Sequence, residues 1–578
     1  MIQRFRYLII SSLIITLFSC QPQEQTLRIL VTTDVHGAFF PIDPITGRKL
    51  NASMAHISTY LENERKAHPD ELIVLDNGDI IQGDPSVYFY NFENTATEHL
   101  FTKTMHLLGY DAATIGNHDI EAGHDVYDRI RDELNIPWLA ANCINTDNGE
   151  PYFEPYTIIK RGQIKVAVLG LITPGIPKWL PENIWSGMEF KDMIESAKHW
   201  VPVILEQEKP DILIGLFHSG LEYTYNDQDE NTPENENAVR LVVQQVAGFD
   251  VVFAGHDHLT WNEYQLDPEG DSVLILGSGS KARELAGANI QLKKKGRKWE
   301  VLQLIGQNIS IKSVEPNPAF SISFEKEIAD VKNYVNQKVA ELITPLTTRD
   351  AFFGPSAFMS LIHRVQLGIS GADISFAAPL SYSTWLKPGM LTMDDLFDLY
   401  RFENLLYTMS LTGQEILDYL NYSYSNWINH MDSPKDHLIK FKQNKDGSLR
   451  TATNYYNFDS ALGINYIVDV QKEAGRMVTI SGLSNGDPFD LKKTYRVAIN
   501  SYRGNGGGGH LTQGAGLAED KLAGRIIKST DKDLRFYMKG WMEEQKIIEV
   551  ETIRNWEIIP EELVNKGREI DYKILFRN

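Results

Sequence analysis

Five short apolar runs in the first half of the chain each stop at a polar cluster that holds aspartate, asparagine or histidine beside glycine. They are LRILVTTDVHG (27–37), ELIVLDNGD (71–79), DAATIGNHD (111–119), DILIGLFHSG (211–220) and FDVVFAGHDH (249–258). Continuous apolar runs of this length are the mark of strands buried on both faces, as in parallel sheets covered by helices. Helical patterns around Met54–His68 and Thr97–Leu108 lie between the runs, so the pattern predicts an α/β domain. In such sheets ligands bind beyond the carboxyl ends of the strands, where these polar clusters stand. Gly37, Gly78, Gly116, Gly220 and Gly255 flank them and are expected to let the backbone turn sharply.

Taken singly, each histidine reads as an ordinary hydrogen-bonded residue. Five strand ends that all carry such groups imply convergence on one place. The pooled set is Asp34, His36, Asp79, Asn117, His218, His256 and His258, which is too rich for one structural ion and contains no thiolate. Mixed imidazole and oxygen donors suit two transition-metal ions such as Zn, Mn, Fe, Co or Ni better than Ca or Mg alone. Two such ions side by side clamp the attacking and leaving oxygens of a phosphoryl displacement. Asn117 supplies a neutral oxygen that leaves the metal charge free to hold a phosphate.

Charge narrows the substrate. Lys plus Arg number 56 against 77 Asp plus Glu, a net charge of −21, so a nucleic-acid polymer is repelled overall. Small phosphorylated ligands remain compatible, because bound cations reverse the local field. The length of 578 residues and a hydrophobic fraction of 42% predict two or three globular domains.

The amino terminus, MIQRFRYLIISSLIITLFSC, places Arg4 and Arg6 before an apolar stretch of about twelve residues. That is the pattern of an export signal and is too short for a spanning helix. LFSC at Leu17–Cys20 resembles a lipoprotein signal whose cysteine carries the lipid, although Phe18 replaces the usual small residue. The alternative is an ordinary cleaved signal with a chance cysteine. The remaining cysteine, Cys143, has no partner within the mature chain for a disulfide and reads as a small buried hydrophobe. No later segment is long and apolar enough to span a bilayer.

DVHG, NGD, GNHD, FHSG and GHDH, in this order and spacing, resemble the calcineurin-like metallophosphoesterases, in the secreted nucleotidase form that joins a dimetal domain to a carboxy-terminal nucleotide-binding domain. The likeness covers essentially the whole mature chain. It implies that Asp34, His36, Asp79 and His258 hold one ion, and that Asp79, Asn117, His218 and His256 hold the other, with Asp79 bridging. It also implies that His118 steadies the phosphate or protonates the leaving oxygen. Where the family often has aspartate three residues on, this chain has Glu121, which can still reach the imidazole from the next turn of a helix. The implied organisation is a lipoprotein-type signal over residues 1–20, a dimetal α/β domain over 21–315, an interdomain helix over 316–345 ended by Pro345, and an α+β substrate domain over 346–578.

In that second domain Thr412 and Glu415 predict a capping box before a helix. Aromatic residues are usually core, but the resemblance places Phe402 and Tyr502 where the family stacks a nucleobase. The glycine run 504–509, broken by Asn505, lacks the Lys-Ser or Lys-Thr of a phosphate loop. It is expected to let backbone and Asn505 approach a sugar and base. Enzymes of the family that act on 5′-nucleotides carry a glycine-rich stretch with arginine where this chain has AAPLS, and aspartate where Gly508 stands. AAPL, LYRFENLLYTM and NSYRGNGGGG instead resemble the branch that opens 2′,3′-cyclic nucleotides and then dephosphorylates the 3′-nucleotide. The expectation is therefore a dimetal phosphoester hydrolase of the bacterial envelope, anchored through Cys20. A 5′-nucleotidase or broader nucleotide-sugar hydrolase comes second, and a non-catalytic binding or adhesion protein is a distant third.

Overall fold

The computed structural model describes residues 23–44, 46–225, 228–296, 298–444 and 447–576. The signal segment and Cys20 lie outside them. Two six-stranded sheets face each other in the amino-terminal half. In the first, Glu24–Thr32, Leu72–Asp76, Ala112–Thr114 and Trp138–Leu139 run parallel, and the hairpin Glu284–Lys295 and Lys298–Ser310 completes the edge beside Glu24–Thr32. In the second, Ile164–Ile172, Ile212–His218, Val251–Ala254 and Ser272–Ser278 run parallel, with antiparallel strands Tyr156–Arg161 and Thr260–Leu266 at the edges.

Side chains on alternate sides of these strands explain why the runs lack polar alternation. Ile29, Val31, Ile73 and Leu75 point between the sheets and meet Val168, Ile214, Leu216 and Phe253 in one buried cluster. Their neighbours Leu30 and Val74 point outward onto Met54, Ile57, Leu61 and Phe101 of two covering helices. Leu213, Val252 and Ile275 do the same against Ala197, Val201 and Val242 on the far side. Both faces of the parallel strands are thus apolar, and these strands deliver their carboxyl ends to one rim. Cys143 is buried, its Sγ 3.4 Å from Met188 Sδ.

The helix expected over Met54–His68 spans Met54–Ala67. The one expected from Thr97 begins at Leu100, because His99 caps it by accepting the Phe101 N–H at 3.1 Å, and Gly109 in the left-handed region ends it. The interdomain segment differs more from the sequence reading. Helices Pro318–Ser323 and Glu325–Val335 stop well before Pro345, which therefore ends no helix. Residues Lys338–Leu342 form a strand instead, paired with Gly389–Thr392 and Ile547–Ile548 from remote parts of the chain. Pairing across such sequence distances overrides the local helical spacing.

The carboxy-terminal half is α+β around a five-stranded sheet in the order Ser460–Leu462, Ile374–Ala377, Thr494–Asn500, Leu406–Thr412, Ile526–Ser529. Thr412 and Glu415 form the expected capping box at the start of helix Gly413–Trp427, with Thr412 Oγ1 accepting the Glu415 N–H and the Glu415 carboxylate accepting the Thr412 N–H. The two halves are welded rather than hinged on a bare linker. One apolar cluster contains Leu30, Met54 and Phe101 together with Leu346, Phe358, Leu406 and Met538.

Candidate active site

The donors expected from the sequence sit directly after the parallel strands: Asp34 and His36 after Glu24–Thr32, Asp79 after Leu72–Asp76, Asn117 after Ala112–Thr114, and His256 and His258 after Val251–Ala254. His218 is the last residue of its own strand. The backbone there is unusual. Asp34, His36, Asp79, His256 and His258 all adopt positive φ, between 47° and 71°, a region that side chains other than glycine seldom occupy. The expected sharp turns are therefore made largely by the donors themselves. Gly37 and Gly78 do have positive φ, whereas Gly116 has φ of −103° and serves a different purpose: a Cβ there would lie 2.2 Å from Asp79 Oδ1. Glycine at 116 lets two donor loops touch.

Two groups of side chains converge. In the first, His36 Nε2 and His258 Nε2 are 2.9 Å apart, and Asp34 Oδ1 lies 3.9 and 3.4 Å from them. In the second, Asn117 Oδ1 is 3.1 Å from His218 Nε2 and 2.8 Å from His256 Nδ1, while Asp79 Oδ2 is 3.2 Å from His218 Nε2. Three of the four imidazoles are oriented by their other nitrogen. His36 Nδ1 donates to Gln82 Oε1 at 3.2 Å, His218 Nδ1 to the Asn77 carbonyl at 2.6 Å, and His256 Nε2 to the Glu236 carboxylate at 3.1 Å. The inward nitrogens consequently offer lone pairs toward oxygen lone pairs, and Asp79 Oδ2 is enclosed without accepting any hydrogen bond. Such an arrangement is stable only with positive charge at its centre, so the donor set fits a cation in each group.

Electrostatics agree. Burial and the nearby Lys281 charge depress His36 to about 3, leaving it neutral and able to offer a lone pair. Burial also opposes charge on His218, but the Asp79 carboxylate wins and pushes it up to about 10. That corner of the site therefore attracts positive charge, which a cation can supply in place of a proton.

His118 borders the donors, its ring edge-on to that of His36 with centroids 5.4 Å apart. Its Nδ1 is 2.5 Å from Glu121 Oε2, and its backbone N–H donates to Asp79 Oδ1 at 2.8 Å. Burial disfavours the charged ring, yet the Asp79 and Glu121 carboxylates raise its pKa to about 9. A role not anticipated from sequence belongs to Asp119, the last letter of GNHD. Its carboxylate accepts the N–H groups of Asp79, Ile80, Ile81 and Gly116 at 2.7–3.2 Å, so one buried side chain ties the Asp79 loop to the Asn117 loop. Its position inside a recognised motif was the available signal.

Asn117, His118, Glu121 and His256 open into a cleft of about 340 Å³ between the domains. Phe402, Tyr456, Tyr502 and Leu380 line it from the carboxy-terminal side, and Trp179 and Tyr225 from the other. Phe402 and Tyr502 line the same cleft because Leu406 and Asn500 are paired in neighbouring antiparallel strands, so both residues lie at the same sheet end. Tyr456 packs edge-on against Phe402 with centroids 6.1 Å apart. Buried Arg503 braces this wall: it pairs with Asp459 at 3.0 Å and donates to the carbonyls of Tyr456 and Gly507. Asn505 is placed differently from the expectation, since its amide donates to the Trp179 carbonyl at 2.8 Å across the domain junction. Trp179, Tyr225, Tyr456 and Arg503 lie off the strand-end pattern. Only the adjacency of Arg503 to Tyr502 could have signalled any of them.

Comparison with known proteins matches residues 27–259 to the calcineurin-like phosphoesterase family and residues 329–514 to the 5′-nucleotidase, C-terminal domain family. A Bacillus subtilis protein named trifunctional nucleotide phosphoesterase protein YfkN is 26% identical over 94% of this chain, which spans only 39% of that relative's length. A 2′,3′-cyclic-nucleotide 2′-phosphodiesterase/3′-nucleotidase of Haemophilus influenzae is 22% identical, covering 92% of this chain and 87% of its own. Among solved structures, a 5′-nucleotidase precursor from Thermus thermophilus superposes with a TM-score of 0.60 at 21% identity, over 93% of this chain and 100% of that one, a likeness of fold. With the donor cluster in one matched domain and the aromatic wall in the other, the chain belongs to the calcineurin-like phosphoesterases that carry a 5′-nucleotidase C-terminal domain.

Proposed function

We propose that the protein hydrolyses nucleotide phosphoesters across its interdomain cleft, opening 2′,3′-cyclic nucleotides and then removing the 3′-phosphate. The observation that carries this reading is that metal-type donors and aromatic rings share one cavity, with Asn117, His118 and His256 facing the same space as Phe402, Tyr456 and Tyr502. Asp34, His36, Asp79 and His258 would hold one divalent ion, and Asp79, Asn117, His218 and His256 a second. When bound, these ions supply Lewis acidity and charge that offset a phosphate's own.

The protein's own groups do the rest. Phe402 and Tyr502 grip the base and so position the phosphate at the donor end. His118, held by Glu121, is placed to deliver a proton to the leaving oxygen. No lysine or arginine is among the described residues that line the cleft. A singly charged cyclic diester therefore suits this cleft better than a doubly charged monoester, which favours the ring-opening step, while the order of 3′- over 5′-nucleotide rests on the relatives. The relatives named for the cyclic activity support the same order. The purified protein, assayed with 2′,3′-cyclic, 3′- and 5′-nucleotides under several metals, should release phosphate from the first two fastest. Faster turnover of 5′-nucleotides would reverse the ranking.

No helix among the described residues is long and apolar enough to cross a membrane. We assign any membrane attachment to a lipid on Cys20 after export to the bacterial envelope. Cys20→Ser should shift the protein from the membrane fraction to the soluble one, and a freely soluble wild type would rule the anchor out.

A further inference from the structure

Among the described residues, the outward nitrogen of His256 is held by a carboxylate, whereas those of His36 and His218 meet neutral oxygens. That carboxylate belongs to Glu236, which follows no strand and is itself unusually well fixed. The Glu236 carbonyl accepts from Thr173 Oγ1 at 3.0 Å and Ser219 Oγ at 2.8 Å, and its N–H donates to Gln228 Oε1 at 3.1 Å. Ser219 is the residue after His218, so the backbone that carries Glu236 is referenced to the donor cluster. Its side chain is only 13% exposed and reaches the cleft wall beside the ring. The face of the ring is fixed as well, by Trp179 stacked at 5.4 Å and 25°.

We propose that Glu236 is a positioning residue for the second cation site. By accepting the Nε2 proton it fixes the tautomer of His256, leaving the Nδ1 lone pair to join Asn117 Oδ1, His218 Nε2 and Asp79 Oδ2. A carboxylate partner also makes an imidazole a more basic ligand, and losing such a partner typically weakens metal affinity by roughly 10–100-fold. The first group, Asp34, His36 and His258, has no contact with Glu236 among those described, so the effect should be confined to one ion. This inference rests on the two-ion reading above.

The test is calorimetric titration of the metal-stripped full-length protein with Mn²⁺, comparing wild type, Glu236→Ala and Glu236→Gln. Wild type should show two binding events. Glu236→Ala should weaken one of them by roughly 10–100-fold and spare the other, with the stripped protein melting at the wild-type temperature. Glu236→Gln keeps an oxygen acceptor for Nε2–H and should recover most of the lost affinity. Wild-type affinity at both sites in Glu236→Ala would overturn the proposal. So would equal weakening of both events with a lowered melting temperature that Gln does not rescue, since that marks a general structural role. A wild type that binds no ion would overturn the two-ion reading itself, and that result is distinct from the other two.

Discussion

Asp34, Asp79 and His218 are almost wholly buried, and the directions of the donors are set by backbone geometry, with donor loops bonded to each other through Asp119. Phe402 and Tyr502, by contrast, are half-buried and face the cleft, with Arg503 against the Tyr502 ring and bonded to the Tyr456 carbonyl. One end of the cavity is therefore a preorganised charge site in which a shift of one atom matters. The other is a pair of flat surfaces that tolerate variation in what they hold. Preorganisation suits a phosphoryl centre, where the same chemistry recurs in every substrate. Stacking suits the base, where every nucleobase offers a π face.

Substitutions can break that division of labour in a graded order. Asp79→Ala removes the carboxylate proposed to serve both ion sites and should abolish metal binding and activity together. Elemental analysis that finds full occupancy in this variant would disprove the bridging role. His118→Ala should keep both ions and lower kcat by roughly 10²–10⁴-fold, because only proton delivery is lost. Tyr502→Ala should lower kcat/KM for nucleotides by about 10–100-fold, the equivalent of ~1–3 kcal/mol of stacking per base. Bis(p-nitrophenyl) phosphate, which has no base, should be hydrolysed at close to the wild-type rate. Equal losses on both substrates would make Tyr502 a packing residue and erase the contrast.

The smallest effect concerns the carboxy-terminal domain alone. His363 is buried between Ser375 and Ser460 hydroxyls at 2.9 and 3.1 Å, and burial depresses its pKa to about 4. The unfolded chain then takes up the proton first as pH falls through the ordinary histidine value. Stability is therefore full above that value and declines toward the folded pKa. Between pH 7 and pH 5 this one group should remove on the order of 2 kcal/mol, seen as a lower melting temperature for wild type and a flatter profile for His363→Gln. An identical pH dependence in the variant would refute the assignment.

How much of this was legible in the sequence follows from what creates each feature. Parallel strands in a two-sheet sandwich bring their carboxyl ends to one rim, so a donor at each strand end is a local signal with a global meaning, and Asp34 through His258 could be pooled at once. Asp119 was visible but its task was not, because four backbone N–H groups gathered on one carboxylate depend on the spacing between two loops. Glu236 and Trp179 sit in segments with no periodic pattern, and only the folded chain brings them against His256. The interdomain helix was misjudged in length because the strand Lys338–Leu342 owes its form to partners about 50 and 200 residues away.

The positive φ angles of five donors carry a consequence for descent as well as for chemistry. An aspartate or histidine in that conformation costs about 1 kcal/mol or more relative to a relaxed backbone, and glycine would relieve much of it. A lineage that kept this fold only to bind or adhere would be free to drift toward glycine at Asp34, His36, Asp79, His256 and His258, gaining stability at each step. This chain has taken none of those steps. The strain can be read by melting Asp79→Gly against Asp79→Ala, of which the glycine variant should be the more stable without metal.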